Sequence, residues 1–171
     1  MKRIAVFPGS FDPVHNGHLD ILRRAIPLFD EVVIGILRNE GKSPLFTVEE
    51  RESMIRELVA SESSIRVESF SGLLVDFVDR VGAKVIVRGI RALSDFDYEF
   101  QLALMNRRLN PRVETVFMMP KDELSYLSSR LIKEVATLGG DISSLVPAGV
   151  LRRVRERIPP RDAAAIGPIA R

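Results

Sequence analysis

The sequence predicts an α/β protein with a mostly parallel sheet, and three observations carry this prediction. Short apolar stretches alternate along the chain with longer stretches in which apolar residues recur every three or four positions, an order typical of parallel α/β folds. Turns that contain Gly or Pro separate these stretches. The 171 residues, 46% of them hydrophobic, suffice for one sizeable core. We therefore expect one domain over residues 1–158.

Five short apolar or alternating stretches predict the strands. The first and fourth are almost entirely apolar, as buried strands of a parallel sheet are, whereas the third alternates apolar with charged residues. A strand followed by a helix and a further strand is the repeating unit of a parallel sheet. The predicted strands are residues 4–7, 31–37, 65–70, 85–87 and 114–119.

Capping and breaking residues bound the predicted helices. Pro27 should end or kink the first helix near Ile26. Thr47 and Glu50 form a capping box at the start of the second. Ser128 or Ser129 is a natural cap for the fifth helix, and Gly139 a natural stop. After a last short helix over residues 147–158, we expect residues 159–171 to be a disordered tail.

The long helix predicted over residues 94–109 is apolar on two sides. A helix with two apolar sides is usually buried on both, and in a small domain the second side can be a contact between subunits. We therefore expect a homo-oligomer. One stripe comprises Phe96, Phe100 and Ala103, and the other Tyr98, Leu102, Met105 and Leu109.

Composition and charge exclude several classes of protein. The chain has no Cys, so disulfides, thiol nucleophiles and Cys-rich zinc sites are impossible. After residue 149, six Arg oppose Glu156 and Asp162, which gives that end +4 and leaves −2 for the rest of a chain whose net charge is +2. This distribution argues against a nucleic-acid platform. No apolar stretch is long enough for a signal peptide or a membrane span, so we expect a cytoplasmic protein.

The turn between the first strand and the first helix holds the only two histidines, His15 and His18. The N-terminus of a helix directs free N–H groups and the positive end of its dipole at one place, which suits a phosphate. The alternative is an ordinary strand-to-helix turn with two surface histidines.

Basic and hydroxyl residues follow other predicted strands at the edge where ligands of such sheets bind. Arg88 and Arg91 flank Gly89 directly after the fourth strand, and arginine grips phosphate through a forked set of donors. Lys42 follows the second strand, and the Ser128-Ser129 pair opens a helix. For the two arginines the alternative is a role as surface ion-pair residues. For Lys42 it is a solvated loop lysine, and for the two serines it is simple capping of the helix. Since no nucleophile–base pair is evident, the pattern favours a phosphorylated ligand and catalysis by positioning and charge stabilisation.

Several motifs together resemble one family. Residues 15–18, His-Asn-Gly-His, match the HxGH signature of the nucleotidyltransferase superfamily, and residues 8–13, Pro-Gly-Ser-Phe-Asp-Pro, resemble a segment of the phosphopantetheine adenylyltransferase family. Residues 42–51, 87–99, 102–107 and 128–134 are also similar to that family's segments, in the same order. The resemblance extends from about residue 3 to residue 157 and implies a single Rossmann-like domain.

The resemblance implies an activity. Members of the family transfer AMP from ATP to 4′-phosphopantetheine, release pyrophosphate and make dephospho-coenzyme A in coenzyme A biosynthesis. They need Mg²⁺ and form hexamers. We expect the same here, with no metal ligand from a protein side chain, no nucleic-acid partner and no membrane.

Site residues are carried over by position in the motifs. The resemblance implies that His18 holds the α-phosphate and stabilises the transition state, and that Ser10 contacts both substrates. Arg130 stands where the family commonly has Ser or Thr, which leaves its role open. The implied contacts to phosphopantetheine are Lys42, Leu74 and Arg88. Those to ATP are Phe11, His18, Gly89, Ile90, Arg91, Glu99, Leu124, Ser125, Tyr126, Leu127, Ser128, Ser129 and Arg130.

Three rival functions remain open from the residues. One is another HxGH nucleotidyltransferase, acting on nicotinate mononucleotide or making a CDP-alcohol. Another is a nucleotide-binding regulatory module without catalysis. The third is an RNA-binding protein that uses the Arg-rich end, whose binding should weaken steeply with salt.

Overall fold

A computed structural model describes residues 2–38, 44–91 and 93–159 and has a five-stranded, fully parallel sheet at its centre. This confirms the predicted fold class. The strands lie in the order β3-β2-β1-β4-β5. They are β1 Ile4–Gly9, β2 Glu31–Leu37, β3 Ile65–Phe70, β4 Val85–Gly89 and β5 Glu114–Met118.

The first and fourth strands extend further than predicted. Pro8 and Gly9 continue β1, opposite Gly35 and Ile36 of β2. Pro and Gly are both unfavourable inside strands, so local preference predicts an earlier end for β1. In the structure, pairing with β2 overrides this preference. The extension carries β1 directly to the turn that holds the histidines.

In the part of the chain that the structure describes, six α-helices connect and follow the strands, and their caps are largely those predicted. Thr47 and Glu50 cap each other's backbone N–H at 3.2 and 2.7 Å. The first helix ends before Pro27, which lies in a short 3-10 turn, and Gly139 follows the fifth with φ of +83°. The helices are α1 Asn16–Ala25, α2 Val48–Leu58, α3 Leu74–Arg80, α4 Leu93–Leu109, α5 Ser129–Thr137 and α6 Ala148–Arg157. In the described ranges, no helix is long and apolar enough to cross a membrane.

The core lies on both faces of the sheet because alternate strand residues point to opposite sides. Ala5 and Phe7 of β1 pack with apolar residues of α1, α2, α5 and α6, whereas Val6 packs on the other face with α3. Gly35 of β2 permits the close packing of α3, since a Cβ there would lie 2.6 Å from the Phe77 ring.

The strand order places a crevice beside β1. The chain runs outwards from β1 to β2 and β3, then returns to place β4 on the other side of β1. In sheets of this kind, ligands bind at the carboxyl ends of the strands where the order reverses. The N-terminus of α1 opens at this point. Residues 160–171, most of the predicted tail, lie outside the described residues.

Candidate active site

A cavity of about 540 Å³ lies at the carboxyl ends of β1 and β4. Its wall is formed by these two strand ends, the first turns of α1 and α4, and residues between 120 and 130. The structure thus brings together segments that are far apart in sequence. Of the residues singled out above, the wall includes Ser10, His15, His18, Arg88, Gly89, Arg91, Glu99, Leu124, Leu127, Ser128, Ser129 and Arg130.

His15 and His18 cap the same helix reciprocally. The N–H of His15 donates to Nδ1 of His18 at 3.2 Å, and the N–H of His18 donates to Nδ1 of His15 at 3.3 Å. The two rings stack with centroids 3.5 Å apart. The alternative of two independent surface histidines is therefore wrong, since His15 is buried and His18 remains only partly accessible and lines the cavity.

The surroundings keep both rings neutral. Burial, followed by the nearby charge of Arg91, lowers the pKa of His15 to about 3. Burial also lowers the pKa of His18 well below its usual value, and the nearby charges of Arg91 and Arg88 add to the effect. A neutral imidazole whose Nδ1 accepts a hydrogen bond carries its proton on Nε2. His18 is therefore a neutral hydrogen-bond donor through Nε2.

Phe11 lies beneath this pair and outside the cavity wall. It is 2% exposed, and its ring packs edge-on against His18 with centroids 4.9 Å apart. Its side chain therefore supports His18 from the core side.

Arg88 is held in the cavity wall by a carboxylate and a carbonyl. Its Nε donates to Oε2 of Glu99 at 2.7 Å, its Nη2 donates to Oε1 of the same carboxylate, and its Nη1 donates to the Pro8 carbonyl at 2.9 Å. A guanidinium has five N–H groups. These three bonds to described residues leave two N–H groups for a phosphate.

Arg91, also in the cavity wall, is held in the same way. Its Nε and Nη2 donate to the Asp95 carboxylate at 2.8 and 3.3 Å, and its Nη1 donates to the Leu127 carbonyl at 2.7 Å. Both arginines are thus oriented ion-pair residues and cavity-wall residues at once. The sequence pattern offered these as alternatives, whereas the structure combines them.

The Ser-rich start of α5 also combines two uses. The Ser128 hydroxyl accepts from the Leu131 N–H at 3.0 Å and caps the helix, as predicted. The Ser129 hydroxyl donates to the Pro13 carbonyl at 2.8 Å. This bond attaches α5 to residues 10–18, the segment that connects β1 to the first turn of α1 and is called the histidine turn below. Both residues line the cavity beside Arg130.

Four other predicted residues, among those that the structure describes, lie outside this cavity wall. Ile90 and Ser125 line an adjoining cavity of about 400 Å³, and Tyr126 is 58% exposed. Leu74 begins α3 and packs against the second face of the core. Lys42 lies outside the described residues.

Sequence reasoning missed the polar residues behind the turn. The buried Asp12 carboxylate accepts bonds from α5 and from residues 45 and 46, and the buried Arg51 donates to the Ser10 carbonyl at 2.7 Å. Their partners are 33 to 121 positions away, beyond any local pattern. The one available signal was a carboxylate directly between the apolar residues Phe11 and Pro13. Among the described residues, no group of three or more His, Asp or Glu could hold a metal ion.

Comparison with known proteins agrees with this geometry. The family model described as cytidylyltransferase-like matches residues 6–135. The phosphopantetheine adenylyltransferase of Heliobacterium modesticaldum is 55% identical over 154 residues, which cover 90% of this chain and 92% of the relative. That of Syntrophus aciditrophicus is 54% identical over 159 residues, covering 93% and 96%.

Solved structures share the fold. A Vibrio parahaemolyticus protein, provisionally assigned as a nicotinate-nucleotide adenylyltransferase, superposes with a TM-score of 0.67 at 17% identity, over 91% of this chain and 93% of that one. At this identity the likeness concerns the fold alone. The relatives, in contrast, match in sequence over nearly their whole length. The chain therefore belongs to the cytidylyltransferase-like superfamily and, within it, to the phosphopantetheine adenylyltransferase family.

Proposed function

We propose that the chain transfers AMP from ATP to 4′-phosphopantetheine, which yields dephospho-coenzyme A and pyrophosphate in coenzyme A biosynthesis. The names of its relatives support this activity. The observation that carries the mechanism is the neutral His18, whose protonated Nε2 lies in a cavity flanked by two anchored arginines. Such an arrangement suits a phosphate on which charge develops during reaction.

The transfer is a direct displacement at the α-phosphorus of ATP. A phosphate oxygen of phosphopantetheine forms the new P–O bond while the bond from the α-phosphorus to the bridging oxygen breaks and pyrophosphate leaves. A phosphate monoester loses its second proton near pH 6, so the attacking oxygen is already ionised and needs no general base. His18 Nε2–H donates to an α-phosphate oxygen as charge accumulates there.

The two arginines divide the phosphates between them. Arg91 binds ATP, and Arg88 binds the phosphate of phosphopantetheine. Each arginine uses the guanidinium N–H groups that do not bind its carboxylate partner. Glu99 contacts ATP from its place in the wall and also orients Arg88. Ser10 contacts both substrates. Lys42 and Leu74 complete the phosphopantetheine site, and Gly89, Ile90 and residues 124–130 complete the ATP site.

Mg²⁺ enters as the complex with ATP. Mg²⁺ keeps several waters and is commonly held by substrate phosphates together with one or two carboxylates. This fits a cavity wall whose Asp95 and Glu99 carboxylates already bind arginines. When bound, the ion neutralises charge on the transferring phosphates.

The assembly is a homohexamer that buries exposed apolar side chains of α4. Large apolar side chains of α4 are exposed in the single chain, a pattern that marks a protein contact. Phe100 is 46% exposed, Leu104 49%, Met105 57% and Leu109 50%. The use of ATP favours the cytoplasm as the place of the reaction.

The test is pyrophosphate release from ATP and Mg²⁺ with 4′-phosphopantetheine, run beside nicotinate mononucleotide. We expect release with phosphopantetheine only. Release with the mononucleotide only would keep the superfamily and overturn the substrate. Release with neither, in protein shown by calorimetry to bind ATP, would favour a regulatory nucleotide-binding module.

A further inference from the structure

The Asp12 carboxylate is buried outside the cavity wall, where it accepts hydrogen bonds from several segments of the chain. It is 5% exposed and accepts three hydrogen bonds, from the N–H of Phe46 to Oδ1 at 2.9 Å, from the N–H of Leu45 to Oδ2 at 2.9 Å, and from Nζ of Lys133 to Oδ2 at 2.8 Å. A buried charge is costly unless it is paired and hydrogen-bonded, and this one is both. The three donors belong to two segments distant in sequence from the turn.

The hydrogen bonds of Asp12 connect parts of the molecule that form the cavity wall. Asp12 lies in the turn between Ser10 at the cavity wall and α1, which carries His18. Its partner Lys133 lies on α5, whose first turn lines the cavity. Leu45 and Phe46 belong to the segment before α2.

Two further bonds fasten the same turn. Arg51 of α2 donates through Nη1 to the Ser10 carbonyl at 2.7 Å and through Nε to the Phe46 carbonyl at 3.1 Å. Ser129 of α5 donates to the Pro13 carbonyl at 2.8 Å. The turn between residues 10 and 13 is therefore attached on both sides.

The backbone of this turn needs such attachment. Phe11, directly before Asp12, has φ of +48°, in the left-handed region that a bulky residue rarely adopts. Such conformations persist only where the surroundings over-determine them, and they cluster at ligand sites. Phe11 is also the residue whose ring supports His18.

We propose that Asp12 is a positioning residue for the transfer reaction, holding the histidine turn in register with the start of α5. The proposal rests on the function proposed above. The turn presents Ser10 and His18 to one side of the cavity, and α5 presents Ser128 and Ser129 to the other. Asp12 sets the distance between them through Lys133. A displacement of about 1 Å between reacting groups can lower the rate roughly 100-fold, so this distance governs catalysis without contact to substrate.

The test compares Asp12→Asn and Lys133→Met with wild type. Asparagine keeps the size of aspartate, but its amide group turns a donor towards donors, so we expect kcat/KM for ATP to fall roughly 10- to 100-fold. Lys133→Met removes only the bond to α5, and we expect kcat/KM for ATP to fall about tenfold. Lys133→Arg keeps the cation and should retain the wild-type kcat/KM.

The matched control is Arg153→Met. Arg153 of α6 pairs with Glu57 of α2 outside the cavity wall, and its side chain is 26% exposed, compared with 35% for Lys133. We expect it to lower the unfolding temperature without changing either KM. The double variant Asp12→Asn/Lys133→Met should be no worse than Asp12→Asn alone, because Lys133 acts through Asp12.

The outcomes separate the two proposals. Wild-type kinetic constants in both Asp12→Asn and Lys133→Met would overturn the positioning role. If Asp12→Asn does not fold, the comparison of Lys133→Met with Lys133→Arg decides the question. An absence of pyrophosphate release in wild type would overturn the proposed function instead. The positioning role would then be tested by the ATP affinity of the same variants, measured by calorimetry. Weaker ATP binding in Lys133→Met and wild-type binding in Lys133→Arg would support it.

Discussion

The histidine turn and the outer face of α4 depart from ordinary burial in opposite ways. At the turn, His15 and Asp12 are polar and nearly inaccessible. On α4, Leu104 and Met105 are apolar and half exposed. The usual distribution places apolar side chains inside and charged ones outside. Each region therefore needs a compensating partner, and the two partners differ.

The turn supplies its own compensation. Nδ1 of His15 and Nδ1 of His18 accept from the backbone, and the Asp12 carboxylate accepts from the backbone and from Lys133, so the site is organised before a substrate arrives. The large apolar side chains of α4 remain about half exposed in the single chain, a pattern that often marks a protein contact. One region is thus complete within the fold, whereas the other would be completed by the assembly proposed above. The predictions below test this contrast.

His18→Ala should have the largest effect, because it removes the donor that the turn is built to present. Loss of one such donor typically costs about 3–4 kcal/mol of transition-state stabilisation, or 100- to 1,000-fold in kcat. Calorimetric ATP affinity should change little, since the cavity wall keeps its arginines. Near-full turnover in this variant would contradict the catalytic role of His18.

Arg88→Met and Arg91→Met should separate the two substrates. A hydrogen bond to a charged group contributes about 1.5–3 kcal/mol, so each KM should rise roughly 10- to 150-fold. We expect the KM for phosphopantetheine to rise with Arg88→Met and that for ATP with Arg91→Met. Arg88→Met/Glu99→Gln controls for the carboxylate left unpaired. Identical effects of both single variants on both substrates would refute the division of phosphates.

Leu104→Lys should weaken assembly and leave the turn intact. Burial of a leucine contributes about 1.5–3 kcal/mol per copy, and a lysine in its place adds a desolvation cost. Light scattering should show a smaller mass than for wild type. Leu28→Lys is the matched control, since Leu28 is 50% exposed and Leu104 49%, and it should keep the wild-type mass. A wild-type mass equal to one chain would end the oligomer proposal.

Acid should destabilise the turn by a smaller amount. The folded pKa of His15 is about 3, below its usual value, so the unfolded chain binds a proton that the folded chain does not as pH falls from about 6.5 towards 3. The free energy of unfolding should therefore decrease by about 1 kcal/mol per histidine between roughly pH 7.5 and pH 5.5. Urea unfolding at both pH values measures it.

His15→Asn is the control for this pH effect. Asparagine keeps a capping acceptor but does not titrate, so the loss of stability on acidification should shrink by the share of one histidine. An equal loss in wild type and in His15→Asn would show that the acid effect arises outside the turn.

Local patterns in the sequence predicted much of the fold. The Thr47–Glu50 capping box, the Ser128 cap and the stop at Gly139 were confirmed, because each depends on neighbours within about one helical turn. The end of β1 was predicted too early, because Pro8 and Gly9 are held in the strand by pairing with β2. The alternation of strands and helices predicted the parallel sheet without its strand order.

The candidate site divides in the same way. Its motif pointed to His18, Arg88 and Arg91, and all three line one cavity. The bonds that orient them did not follow from the motif. Glu99 lies 11 positions from Arg88, and the Leu127 carbonyl lies 36 positions from Arg91. Periodicity describes faces of single elements and contains no information about which faces meet.

The sequence by itself determined the strand-to-helix turn, the caps, and the residue types that suit phosphate, since these depend on the backbone preferences and side-chain chemistry of near neighbours. Only the tertiary structure decided that β4 lies beside β1, that each arginine is held by a carboxylate, and that Asp12 meets Lys133 across 121 positions. The physical reason is that long-range contacts form when the core of the sheet packs as a whole, and burial then selects which polar groups must find one another.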